Sequence, residues 1–76
     1  MNLLWITKAQ YIKEYRSDIQ FNTNEKGTVN LKDHLDKKIF EPLKNIAFFK
    51  DFQLNSWTIH WNNGADFSPE FLHQIL

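Results

Sequence analysis

Aromatic side chains are what this chain has to fold with. Seven phenylalanines, three tryptophans and two tyrosines are spread over 76 residues that contain no cysteine. Without thiols there is no disulfide framework and no thiolate metal site to staple a small domain. A chain of this length has room for one hydrophobic core and holds about 4–11 kcal/mol of net stability. Residues 1–76 are therefore expected to form a single domain whose core is built from rings, with Phe21, Phe40, Phe48, Phe52, Trp61 and Phe71 as its members.

Charge narrows the partners. Nine basic side chains cancel nine acidic ones, and Arg16 is the sole arginine. The basic residues along 8–38 are interleaved with Glu14, Asp18, Glu25, Asp33 and Asp36. Such interleaving repels phosphate, and the fork of arginine, which suits phosphate and guanine, is nearly absent. Direct nucleic-acid binding by this chain alone is not expected. No run approaches the length of apolar residues that a membrane span needs. The start, Met-Asn-Leu-Leu-Trp-Ile-Thr-Lys, has no basic region ahead of a long apolar run, so no secretory leader is expected either. The expectation is a cytoplasmic protein without a membrane partner.

Periodicity then places the elements. The apolar residues 3–6 suit a strand, and residues 11–15 alternate with a period near two. A second strand is predicted over 17–22, with Ile19 and Phe21 on one face and Asp18 and Gln20 on the other. The polar cluster 22–27 reads as a hairpin turn in which Gly27 or Asn24 takes a positive φ. A third strand follows over 28–31. Leu35, Ile39, Leu43 and Ile46 recur at helical spacing, but Pro42 interrupts them, so two short helical turns are predicted: 32–37, and 42–49 with Pro42 at its first position. Strands over 52–54 and 57–61 flank Asn55-Ser56 as a tight turn, placing Trp57, Ile59 and Trp61 on one face and Thr58 and His60 on the other. Asn62-Asn63-Gly64 is the strongest turn signal in the chain. Ser68 reads as an N-cap, Pro69 as the first helical residue and Glu70 as a first-turn acid. The order β-β-β-α-β-β-α argues an α+β fold, an antiparallel sheet of about five strands with two helical segments packed on one side.

The stretch Trp61-Asn62-Asn63-Gly64-Ala65-Asp66-Phe67-Ser68-Pro69-Glu70-Phe71-Leu72 is more specific than its parts. It resembles the bacterial family known as domain of unknown function 2442, whose members carry a Trp-x-Asn-Gly-Ala-Asp turn followed by x-Pro-Glu-(apolar)-Leu. Ile19-Gln20-Phe21-Asn22, Val29-Asn30-Leu31, Ile39-Phe40-Glu41-Pro42-Leu43 and Ala47-Phe48-Phe49 resemble the family's other segments in the same order. The chain departs from the pattern with Asn62 for a frequent Pro, Asn30 for Asp and Trp57 for a small residue. Asn30 weakens any ionic or catalytic role for that position. The resemblance implies a small α+β sheet. It also implies two settings: fusion to a helix-turn-helix in longer relatives, and an arrangement like that of toxin-antitoxin pairs in short ones.

Two sets of residues stand out as candidate sites. Asn63, Gly64 and Asp66 form the signature turn. Its backbone N–H groups and the Asp66 carboxylate offer a polar site, yet every residue type there also follows from turn chemistry, with Asp66 bonding loop or helix-start amides. The turn is expected to be structural. Trp5, Tyr11, Tyr15 and Trp57 are the aromatics left over from the core, and such residues are enriched at interfaces. His60 oriented by Asp66 would make a base, but no nucleophile or phosphate-cradling loop accompanies them. His34, His60 and His73 are too far apart in sequence for a metal-ligand pattern. No catalytic residue, metal or cofactor is expected. The leading functional expectation is a protein-interaction module that binds a cognate small protein, in an antitoxin-like role, or a second copy of itself. An accessory domain in transcriptional regulation is the alternative, and a small enzyme using the Asn63–Asp66 turn a further one.

Overall fold

Three strands form an antiparallel meander in the computed structural model, which describes residues 3–76: β1 (Ile6–Lys13), β2 (Arg16–Phe21) and β3 (Lys26–Asn30). The alternation read in β2 is what seats it. Ser17, Ile19 and Phe21 are buried, Asp18 faces solvent, and Val29 joins the buried face from β3, where it pairs with Ser17. β1 begins later than expected and absorbs the alternating residues that follow it. It reverses into β2 through Glu14-Tyr15, a two-residue turn with Glu14 at φ 52°. Neither residue favours that geometry. The turn is pinned from outside, because the Tyr15 hydroxyl donates to the Lys44 carbonyl and its ring meets Phe49 edge-on at 5.2 Å.

Residues 3–5, predicted as strand, lie ahead of β1 and are held by Asn22 instead. Its side-chain amide donates to the Leu3 carbonyl and its Oδ1 accepts from the Trp5 N–H, each at 2.9 Å. Asn24 takes the positive φ in the second hairpin, at 72°. Gly27 does not turn; it sits within β3 opposite Ile19, where a Cβ would fall 2.8 Å from the Leu76 side chain. Close approach is its reason for being glycine.

The middle of the chain corrects the helical reading. Lys32–His34 and Lys38–Lys44 are 3₁₀ turns, and only Ile46–Phe49 (α1) is α-helical. Pro42 lies inside the second 3₁₀ turn, not at a helix start; Asn45 caps α1 by accepting the Ala47 N–H. With three residues per turn a spacing of four drifts off any face. Leu35 and Leu43 are buried accordingly, and Ile39 and Ile46 are exposed.

The single five-stranded sheet is also corrected. β4 (Gln53–Leu54) and β5 (Ile59–His60) make a separate two-stranded sheet. Asn55 is the cause: its Oδ1 accepts from both the Trp57 and Thr58 N–H at 2.7 Å, which keeps residues 55–58 in a turn. Trp57 therefore sits in that turn and does not share a buried face with Ile59 and Trp61. Thr58, expected to face outward with His60, is buried and donates its hydroxyl to the Phe67 carbonyl at 2.6 Å.

One cluster unites the elements, with Ile6, Ile19, Phe21, Val29, Phe49, Trp61, Phe67 and Leu72 among its buried members. Of the six aromatics assigned to the core, Phe21 and Trp61 are fully buried, whereas Phe40, Phe48, Phe52 and Phe71 pack half-buried against it. Phe49 and Phe67 take the central places. Phe49 meets both tyrosines edge-on, and its carbonyl accepts the Trp61 indole N–H at 2.8 Å. The chain ends as expected in α2 (Pro69–Gln74), with Ser68 Oγ accepting the Phe71 N–H at 3.1 Å. No helix among the described residues is long and apolar enough to cross a membrane. The radius of gyration, 11.6 Å, is what about 2.2·N^0.38 Å gives for a compact chain of this length.

Candidate functional site

Among the described residues neither edge of the three-stranded sheet carries a further strand. On the face of β3 the Leu76 side chain packs at Gly27, and His73 Nε2 lies 3.0 Å from the Glu25 carboxylate at the strand's entry turn. Hydrogen bonds from the Thr23 hydroxyl and from His73 hold the Glu25 carboxyl below the usual glutamate range. Among the described residues the one backbone hydrogen bond on the outer side of β1 runs from the Ile6 N–H to the Trp57 carbonyl at 2.9 Å, and β4 packs against the strand. From Lys8 to Lys13, among the described residues, its backbone bonds to β2 and to nothing else. The outward amides and carbonyls of that stretch have no strand partner, and such unpaired groups are the ordinary template for another strand.

The apolar surface gathers around this edge. Trp5 is 36% exposed, Trp57 40%, Leu54 41% and Ile12 44%. The Ile6 bond sets the Trp57 backbone beside the start of β1, next to Trp5 in the chain, and Leu54 lines an open groove that runs across the face of all three strands, from Ala9 past Ile19 to Gly27. Ile12 stands in a bulge near the far end, between the paired residues Tyr11 and Lys13. Of the four leftover aromatics, then, the two tryptophans flank the open edge. Tyr11 and Tyr15 are half-buried on Phe49 and spend their rings on the core. Ile12 and Leu54 went unread in the sequence; for Ile12 the available signal was an apolar residue out of phase with Tyr11 and Tyr15.

The signature turn closes tightly. Gly64 takes φ +89°, its N–H donates to the Trp61 carbonyl at 3.0 Å, and the Trp61 N–H donates to the Ala65 carbonyl at 2.9 Å. Asn63 accepts the Ala65 N–H on Oδ1 and donates from Nδ2 to the Ile39 carbonyl, which ties the turn to the second 3₁₀ segment. Asp66 departs from its expected role. Its backbone bridges to His60, Ser68 takes the helix-start amide, and its exposed carboxylate accepts no hydrogen bond among the described residues. His60 and Asp66 are thus joined through the main chain and not as an oriented base. His34 and His73 turn their rings edge-on to Phe71 and Phe21. Among the described residues no group of three His, Asp or Glu side chains converges as a metal would require.

Residues 6–74 match the family described as Protein of unknown function (DUF2442). Neither a curated protein nor a solved structure matches the chain.

Proposed function

The chain belongs to the DUF2442 family, and from that premise we propose that it works as a protein-interaction module, its docking surface being the open edge of β1 and the exposed side chains around it. The carrying observation is the surface beside β1: among the described residues the backbone from Lys8 to Lys13 bonds only to β2, and Trp5, Trp57, Leu54 and Ile12 are exposed around it. A partner segment added as a fourth strand would satisfy the free amides and carbonyls, and its side chains would cover the tryptophans. Burying one such apolar side chain contributes about 1.5–3 kcal/mol. Lys8 and Lys13 on the same strand oppose indiscriminate pairing and favour a partner that brings acidic side chains. A cognate small protein in an antitoxin-like arrangement fits that description, and a second copy of the chain is the simpler form of the same contact. On this reading the signature turn is structural and the chain is not an enzyme.

Size-exclusion chromatography with light scattering tests this, on the chain alone and co-expressed with the product of the gene next to its own. A stoichiometric complex that Ile12→Lys or Trp57→Ala dissolves, with unchanged far-ultraviolet circular dichroism, supports the proposal. A monomer in both preparations, or a complex indifferent to both substitutions, overturns it.

A further inference from the structure

On another part of the surface, a cleft of about 320 Å³ opens between the 3₁₀ segments and the start of α2. Phe40, Phe67 and Phe71 form its apolar wall. The Phe40 and Phe67 rings are stacked at 4.5 Å with 8° between their planes, and those of Phe67 and Phe71 at 5.5 Å with 18°. Phe67 is buried while Phe40 and Phe71 remain half-exposed, so the outer rings are the ones a guest would meet. Around this wall stand Asp36, Asp66, Lys37 and His34. Neither carboxylate has a hydrogen bond or an ion pair to any described residue, and neither does the Lys37 ammonium.

Nothing in the fold requires Asp66 to be acidic, since the turn is closed by Asn63 and Gly64 and the helix by Ser68. We propose that the cleft binds a small organic ammonium group carried on an apolar or aromatic stem. Two exposed carboxylates give the cleft a negative rim, and the outer rings, Phe40 and Phe71, add the negative side of their quadrupoles. Lys37 sits on a long flexible stem and can carry its charge out to water, or meet an anionic group elsewhere on the same guest. The volume suits a single small molecule, and a wall of rings with a few convergent polar groups is the usual make-up of such sites. An anion is disfavoured by the same pair of carboxylates that would hold the ammonium.

The test is an NMR titration of the ¹⁵N-labelled full chain with 2-phenylethylamine, and separately with phenylacetate, which keeps the ring and reverses the charge. The amine is expected to shift the resonances of residues 34–40 and 66–71 saturably, and phenylacetate to leave them in place. Asp66→Asn keeps the shape and removes the charge. It should weaken the amine by about tenfold, as loss of a hydrogen bond to a charged group does, with Asp36→Asn as the second variant should the first not fold. Equal shifts from phenylacetate, shifts that do not saturate, or an affinity indifferent to both substitutions would overturn the assignment. The β1 edge lies outside the monitored residues, so the interaction reading stands or falls separately.

Discussion

The two antiparallel units of this protein are held in different ways. In the β1–β2–β3 meander, backbone bonds run along whole strands, and the buried residues Ser17, Ile19, Phe21 and Val29 follow the pleat. In the β4–β5 unit only two residue pairs meet, Gln53 with His60 and Leu54 with Ile59. Beside a few main-chain bonds such as Trp61 to Ala65, that region relies on side chains that reach main-chain groups: Asn55 to two amides, Thr58 to Phe67, Trp61 to Phe49 and Asn63 to Ile39. A ladder spreads its stability over many equivalent bonds. A side-chain scaffold concentrates it in a few residues whose loss leaves a buried partner unsatisfied.

Substitutions can break this contrast. Trp61→Ala removes a fully buried ring and orphans the Phe49 carbonyl; it should cost about 3–5 kcal/mol, read from urea unfolding, and leave a domain this small barely folded. Thr58→Val keeps the shape, leaves the Phe67 carbonyl without its hydroxyl partner and should cost about 1–2 kcal/mol in the same experiment. Gly64→Ala meets open space but must hold φ +89°, so strain alone sets its loss at about 1 kcal/mol. The ladder offers the opposite case. Ser17 is buried with a hydroxyl that finds no partner, so Ser17→Ala should leave the unfolding midpoint within about 0.5 kcal/mol of the parent or raise it. A large loss there would mean that the ladder, too, depends on individual side chains.

The smallest effect is electrostatic. Glu25 has its folded pKa lowered, so the stability it contributes is present above the unfolded value and fades as pH falls through the folded one. Glu25→Gln should lower the melting temperature slightly at neutral pH and converge with the parent as pH falls through the folded carboxyl's range, flattening the acid limb of the profile.

What could be read in the sequence follows the same division. β2, the Asn24 turn and the Ser68–Pro69 helix start were legible because alternation, turn chemistry and capping are written in neighbouring residues. The Glu14–Tyr15 turn was not, since Glu14 takes its positive φ under constraint from Lys44 and Phe49, far along the chain. Pro42 was misplaced because the 3₁₀ segment already begins at Lys38, where no side chain caps it and so no start signal stands in the sequence. The split into two sheets hid behind Asn55, whose side chain bonds two amides and so replaces a strand with a turn. At the candidate surface the tryptophans were visible as surplus rings, but the tyrosines, equally surplus by count, were claimed by Phe49.

The Asn63-Gly64 pair also makes the signature turn a slow chemical clock. When glycine follows asparagine no Cβ shields the next amide nitrogen, which can attack the side-chain carbonyl, expel ammonia and leave aspartate or isoaspartate after hydrolysis. In the folded chain the Asn63 amide is engaged at both ends and the Gly64 N–H is bonded to Trp61. The reaction must therefore wait for the turn to open, and its rate reports local opening. The product sets a carboxylate oxygen against the Ile39 carbonyl where an N–H₂ had donated, so each event loosens the tie to the 3₁₀ segment. Ageing of the purified protein should begin at this residue.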